Sequence, residues 1–445
     1  MLSSRKESDM TESRYDAIVV GAGMAGLVAA RDLSKDGHSV LVLEARDRLG
    51  GRTYSDSSMD RTVELGGTYL HWTWGHVWHE VNRYGIAFQR IRPAEKAYWI
   101  AEDRLHSGDP ADYAAQLGPL ADRLYKDATV AFPHAYDPTA ADFSEIDRDS
   151  VADKVARLDL TPYERDVLMG SLSVSTDPDT QGIAEILQWN ANYFGDWRMQ
   201  YQSGENYSLA GGTQKLVAAL AADARAEFRL SSPVASIEDR GGEVVVETRA
   251  GAVFRARHVV VAVPLNTLGA ITISPTLSEP VRRFIAEGHT NLGVKVLVRA
   301  RGELTPFHVA APMKAGYPLS TIIGEYWQNG DTYITCFGAD PYAIDFSDRA
   351  AVEKALRELI PDIEVVDTVW HNWVADEFSK GTWVMMRPGH LSEFAPHMRR
   401  PHGRVRFAGG DFSDSWPGSI EGALQSGTRV AGEVHRDLVG DSSSQ

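Results

Sequence analysis

Residues 15–53 read YDAIVVGAGMAGLVAARDLSKDGHSVLVLEARDRLGGRT, and the spacing within this stretch decides the fold. Ala17 to Val20 is a short β-branched, apolar run, as expected of a strand buried on both faces of a parallel sheet. Gly21, Gly23 and Gly26 follow directly. The first permits a sharp turn, the second brings the backbone close to a pyrophosphate, and the third lets the next helix pack tightly on the strand. That helix, expected from about Leu27 to Lys35, turns its unpaired amides and positive dipole end toward the phosphates. Gly37 closes it, Ser39 to Leu43 reads as the second strand, and Glu44 stands where an acid meets a ribose hydroxyl.

The totals narrow the class. A chain of 445 residues, 43% hydrophobic and 24% charged, predicts two domains of ordinary globular composition. A formal charge of −16 disfavours nucleic acid, whose phosphates it would repel, and suits cationic small molecules. Cys336 is the sole cysteine, so neither an internal disulfide nor a cysteine metal cluster is available. Residues 1–14 are polar and read as a disordered leader, with Met10 an alternative start. No apolar run reaches the ~20 residues that span a bilayer, and the expected location is the cytoplasm.

Further along, Gly66-Gly67-Thr68-Tyr69 repeats the paired-glycine device. His71, His76 and His79 do not form a metal-binding pattern, and no metal is expected; Val77 to Tyr84 reads as an amphipathic helix ended by Gly85. Ala97 to Ile100 predicts a strand, and helical segments broken by prolines follow. Trp189 to Trp197 concentrates aromatics, fitting either core or the wall of an apolar pocket. After residue 204 the chain returns to the first domain. Phe228 to Leu230, the turn Ser232-Pro233-Val234 and Val244 to Thr248 alternate like antiparallel strands, and Val259 to Val263 reads as another buried strand. Val405 to Asp411 is a strand ending in glycines and an acid, followed by a last helix. Lys295 sits in the apolar run Val294 to Val298; a lysine is expensive to bury unpaired and must face something polar.

Taken together, GAGMAG, Glu44, GGRT (residues 50–53), ELGGT (64–68), the Val234 turn and FAGGD (407–411) resemble the flavin monoamine oxidase family, from Tyr15 to about Val434. Within it the chain looks most like the bacterial members of the nicotine oxidoreductase and 6-hydroxynicotine oxidase type. The resemblance implies an α/β fold: a Rossmann-type FAD-binding domain of the monoamine oxidase type (residues 15–90, 205–290 and 395–437) interleaved with an α+β substrate-binding domain (91–204 and 291–394), then a flexible tail at 438–445. It implies FAD held by Gly21, Gly23, Ala25, Gly26, Glu44, Ala45, Arg46, Gly51, Arg52, Gly66, Gly67, Thr68, Tyr69, Val234, Gly410, Asp411, Ser419 and Ile420. Asp411 would meet the pyrophosphate or ribityl end.

The same resemblance gives Lys295 a water beside flavin N5 and a part in the reaction with oxygen. It makes Trp383 one wall of an aromatic cage whose other wall, usually tyrosine, is Ser419 here. Tyr207 and Trp197 are candidates to restore that surface. Thr382 occupies the place of the cysteine that binds flavin covalently in mammalian-type enzymes, so FAD should be noncovalent. The implied reaction is hydride transfer from the carbon beside an amine nitrogen to flavin N5, with O2 as acceptor and hydrogen peroxide as product. The substrate would be an apolar or cyclic, secondary amine, and a homodimer is a family expectation. The alternatives that stay open are an L-amino-acid oxidase, with Arg198 as carboxylate clamp, an amine dehydrogenase using a protein electron acceptor, a carotenoid desaturase or isomerase sharing the cradle, and a noncatalytic FAD-binding protein.

Overall fold

The computed structural model describes residues 14–134, 136–172, 174, 176–202, 207–313 and 316–443. Strand Arg14–Val20, fully buried from Ala17 to Val19, lies at the centre of an eight-stranded sheet. It pairs in parallel with Val40–Leu43 on one side and Val253–Val261 on the other. Glu227–Arg229 extends the sheet in parallel beyond Val40–Leu43, and Val405–Phe407 pairs in parallel with Val253–Val261. The antiparallel Val244–Thr248 and Val234–Asp239 continue it to Thr272–Ser274. The strand near Phe228 thus joins the parallel half of the sheet, not an antiparallel hairpin as its alternation suggested: its register is set by Leu41 to Leu43, far away in sequence.

Two helices cover one face. Met24–Lys35 starts three residues before the expected point, and a Cβ on Gly26 would stand 1.9 Å from the Gly21 carbonyl oxygen; only glycine permits this packing. The last helix, Ile420–Ser443, lies against it so closely that a Cβ on Gly427 would meet the Ala25 oxygen at 2.4 Å. This helix corrects the expected flexible tail: it continues to Ser443, burying Leu438 and pairing Asp441 with Arg404. Of the expected leader only Arg14 lies within the described residues, and it opens the first strand. Arg31 is buried and forks onto Glu80 of helix Gly75–Tyr84, so an ion pair ties the cradle helix to its neighbour.

A second sheet of seven strands runs Val365–Trp370, Val294–Arg301, Asp331–Gly338, Thr321–Gln328, Phe307–Ala310, Lys96–Ala101 and Arg104–Gly108. It is antiparallel except between Phe307–Ala310 and Lys96–Ala101. Helices Pro110–Tyr125, Pro162–Leu172, Ile183–Asn192 and Trp197–Gln202 gather on a separate apolar core around Leu117, Leu168 and Leu187. Strands of the first sheet come from 14–43, 227–274 and 405–407; those of the second come from 96–108 and 294–370. The chain crosses between the two sheets repeatedly. The ends of both sheets and the helical cluster are thereby brought around one cavity.

Candidate active site

That cavity has a volume of about 530 Å³ and is long, with different chemistry at its two ends. At one end lie Gly21, Gly23, Ala25, Glu44, Ala45, Arg46, Gly51, Arg52 and Val234. Gly21 adopts φ +100°, and a Cβ there would sit 2.7 Å from the Ala262 oxygen. Gly23 differs. Its φ is −73° and a Cβ would meet nothing within 4 Å, so local packing does not require glycine there, whereas a ligand lying on the backbone would. The Glu44 carboxylate accepts the amides of Ala22 at 2.7 Å and Arg46 at 2.9 Å, which fixes it at the cavity wall. The first turns of two helices, at Gly23 to Ala25 and at Ser419 to Ile420, open on the same space. Their unpaired amides favour negative charge. These features fit a dinucleotide.

The middle of the cavity is formed by Gly66, Gly67, Thr68, Tyr69, Lys295, Trp383, Gly410, Ser419 and Ile420. Lys295 is 4% exposed, so its ammonium faces protein groups and not solvent. Its Nζ donates to the Gly66 oxygen at 3.0 Å and to Thr68 Oγ1, under the rings of Tyr69 and Phe337. Burial lowers its pKa to about 8, against the pull of Glu325 and Glu64. Tyr69 donates to Glu325, and burial raises both of these groups above their usual ranges. Trp383 stands edge-on to Phe337, ring centres 6.1 Å apart. Gly418, at φ +76°, turns the chain tightly against its Cβ.

Three expected site residues lie outside the lining. Gly26 packs against Gly21, as described. Asp411 is buried, with one oxygen on Arg52 at 2.6 Å and the other accepting the Leu265 amide at 2.9 Å. Its contribution to the cavity is to hold Arg52, which also donates to the Thr382 oxygen at 2.6 Å. Tyr207 points away, packing on Trp78 and Phe88 with both ring centres at 6.0 Å, so it cannot replace the missing aromatic wall. Ser419 does line the cavity, but its hydroxyl donates to the Trp416 oxygen at 2.8 Å and accepts the Gly422 amide at 2.8 Å. It caps the last helix, and its proton is not free for a substrate.

The far end is walled by Leu117, Tyr125, Ile186, Trp189, Trp197 and Tyr201, an apolar surface with a few polar tips. Of the expected residues Trp197 is here; Arg198 is mostly exposed and pairs with Asp196 instead. Sequence reasoning missed Glu185, Gln181 and His308 in this wall. Glu185 left one signal, a lone acid among Ile183, Ala184, Ile186 and Leu187. Among the described residues no group of histidine, cysteine or acidic side chains could hold a metal, and no helix is long and apolar enough to cross a membrane.

Comparison with known proteins places this geometry. The family model for flavin containing amine oxidoreductase matches residues 24–435. A pseudooxynicotine dehydrogenase of a Pseudomonas species is 34% identical, over 97% of this chain and 88% of that relative. The (S)-6-hydroxynicotine oxidase of Paenarthrobacter nicotinovorans is 31% identical, over 92% of this chain and 97% of its own length. Among solved structures, putrescine oxidase bound to putrescine superposes with a TM-score of 0.82 at 19% identity, covering 95% of this chain and 99% of that one. Cyclohexylamine oxidase from Brevibacterium oxydans does so with a TM-score of 0.80 at 21% identity, with the same coverage.

Proposed function

Because the chain belongs to the flavin-containing amine oxidoreductase family, we propose that it binds FAD noncovalently and oxidises an apolar or cyclic amine. Family membership makes it an oxidoreductase acting on amines and implies a flavin. The observation that carries the rest is that buried Lys295 and half-buried Trp383 line one cavity continuous with a dinucleotide-type cradle.

When bound, FAD would supply the hydride acceptor for the carbon beside the amine nitrogen, giving an imine or iminium, and pass the electrons to O2. The chain's residues would do the rest. Arg46 and Arg52, with the two helix N-termini, would balance the pyrophosphate and the electron-rich ring; Glu44 would meet a ribose. Thr382 offers no thiol for a covalent bond. Segments 15–90, 205–290 and 395–437 would form the cofactor domain, and 91–204 with 291–394 the substrate domain.

Trp383 and the apolar far wall would strip water from the amine and orient it, since hydride loss requires its neutral form. Lys295, held by Gly66 and Thr68, would keep a proton donor at the ring for the reaction with oxygen. Among the described residues the far wall offers no arginine to clamp a carboxylate, which disfavours an amino-acid oxidase.

A dehydrogenase among the relatives supports a second reading, with a protein in place of O2 as acceptor. The test is turnover of an amine panel in air. The proposal predicts one hydrogen peroxide per amine consumed and all flavin released by denaturation. Amine consumption that needs an added electron-transfer protein favours the second reading, and flavin that stays with the denatured chain contradicts noncovalent binding.

A further inference from the structure

Among the described residues three carboxyls line the cavity: Glu44, Glu185 and Glu377. Glu44 is satisfied by two amides, and Glu377 is ion-paired with Arg249. Glu185 stands apart from both. It projects from helix Ile183–Asn192, is 1% exposed, and accepts the Met386 amide on Oε2 at 2.5 Å, while Oε1 has no partner. A buried carboxyl with an empty oxygen is costly and calls for an explanation.

Among the described residues no cation pairs with Glu185. The cations on the cavity wall are committed elsewhere: Arg46 to Asp376, Arg52 to Asp411, Arg249 to Glu377, Lys295 to Gly66 and Thr68. The charges that reach Glu185 are both negative: Asp411, itself paired with Arg52, and Asp147, which accepts the amide and hydroxyl of Ser392. Burial, eased by the Met386 amide and reinforced by these two acids, moves its pKa up to about 8.

We propose that Glu185 is the subsite for a second basic nitrogen of the substrate, one that stays protonated while the carbon beside the other nitrogen is oxidised. This rests on the amine-oxidising reading above. The reacting nitrogen needs its lone pair free, so a carboxylate beside it would oppose the chemistry; a nitrogen further along the molecule suits it. Met386 follows Trp383 by three residues, so the intervening chain spans at most about 10 Å, a separation that a short diamine or an amine carrying a basic heterocycle bridges. Binding balances as follows: the reacting nitrogen gives up its proton to become neutral, as it must for any amine, and the neutral carboxyl gives up a second as it forms an ion pair with the distal cationic nitrogen. The carboxyl thus adds one proton to those released to solvent.

Cadaverine and pentylamine, equal in carbon chain, are the probes. They would be titrated anaerobically into FAD-loaded enzyme, following flavin absorbance and proton release by calorimetry in two buffers. The wild type is expected to bind cadaverine roughly tenfold tighter than pentylamine, about 1.4 kcal/mol, and to release about one proton more with cadaverine than with pentylamine. Glu185→Gln is expected to bring that ratio near one and abolish the extra proton, and Glu185→Asp, which keeps the charge, to restore part of both. A wild type without the preference, binding of neither probe included, overturns the proposal, as does a preference that survives Glu185→Gln. Bleaching by other amines would then leave the amine-oxidising reading standing. Should the glutamine variant fail to fold, the wild type's proton release and the aspartate variant decide.

Discussion

Replacing Lys295 by methionine separates burial cost from function. The ammonium is 4% exposed and its pKa falls from 10.5 to about 8 because burial disfavours the charge. A shift of that size corresponds to about 3 kcal/mol held against the folded state while the group is protonated. Between pH 8 and 10.5 the unfolded chain binds more protons at this position than the folded chain does, so stability rises with pH across that window. Below it the penalty is full.

Lys295→Met removes the penalty but loses two hydrogen bonds, to Gly66 and Thr68, each worth about 1 kcal/mol or somewhat more for a charged donor. The variant is therefore expected to match the wild type near neutrality or exceed it by up to about 1 kcal/mol. It should also lose the alkaline rise. Urea denaturation of FAD-loaded protein near neutrality and above about pH 9 measures both. Reoxidation of the reduced enzyme by O2 should slow in the variant far more than reduction by amine. A variant destabilised by more than about 2 kcal/mol, with the alkaline rise intact, would refute the reasoning: the lysine would then be a structural tie.

Four further outcomes are expected. Gly26→Ala should fail to fold or lose several kcal/mol, since the new Cβ falls 1.9 Å from the Gly21 oxygen, whereas Gly23→Ala, with open space around its Cβ, should fold normally and bind FAD weakly; thermal melts without and with FAD distinguish them. Glu80→Gln breaks the buried pair with Arg31 and should cost about 1.5–3 kcal/mol in a denaturant titration, because the guanidinium loses a buried charged acceptor while Asp32 still holds its Nε at 2.7 Å. Ser419→Ala should cost about 1 kcal/mol as a lost helix cap and change amine turnover little; a large fall in turnover at unchanged stability would restore a substrate role for the hydroxyl. Trp383→Ala should slow flavin reduction by amines while FAD binding persists, as read by rapid mixing.

Much of this was legible before the structure, for a physical reason. The cradle at Gly21, Gly23 and Gly26 is encoded by backbone demands made within a few residues, so spacing alone exposes it. Lys295 announced itself as a charge in a strand too apolar to face water. What stayed hidden depends on contacts distant in sequence. Asp411 is turned from the cavity by Arg52, 359 residues away along the chain. Tyr207 faces Trp78 and Phe88 because of how its strand pairs with Phe88–Arg90. Ser419, expected in the place of an aromatic wall, is a helix cap, which only the Trp416 oxygen and the Gly422 amide around it reveal. Glu185 gave only a lone acid in an apolar helix, and its empty oxygen is visible only once Met386 is seen beside it.

The central claim is that the long cavity holds a flavin whose ring meets an amine between Lys295 and Trp383. Anaerobic titration of the purified protein with cyclic secondary amines, primary alkyl amines, polyamines and L-amino acids tests it most directly. The account predicts a yellow protein whose oxidised-flavin absorbance is bleached by at least one amine and returns on admitting the acceptor. A colourless protein that takes up no FAD, or a yellow one that no amine bleaches, would contradict it.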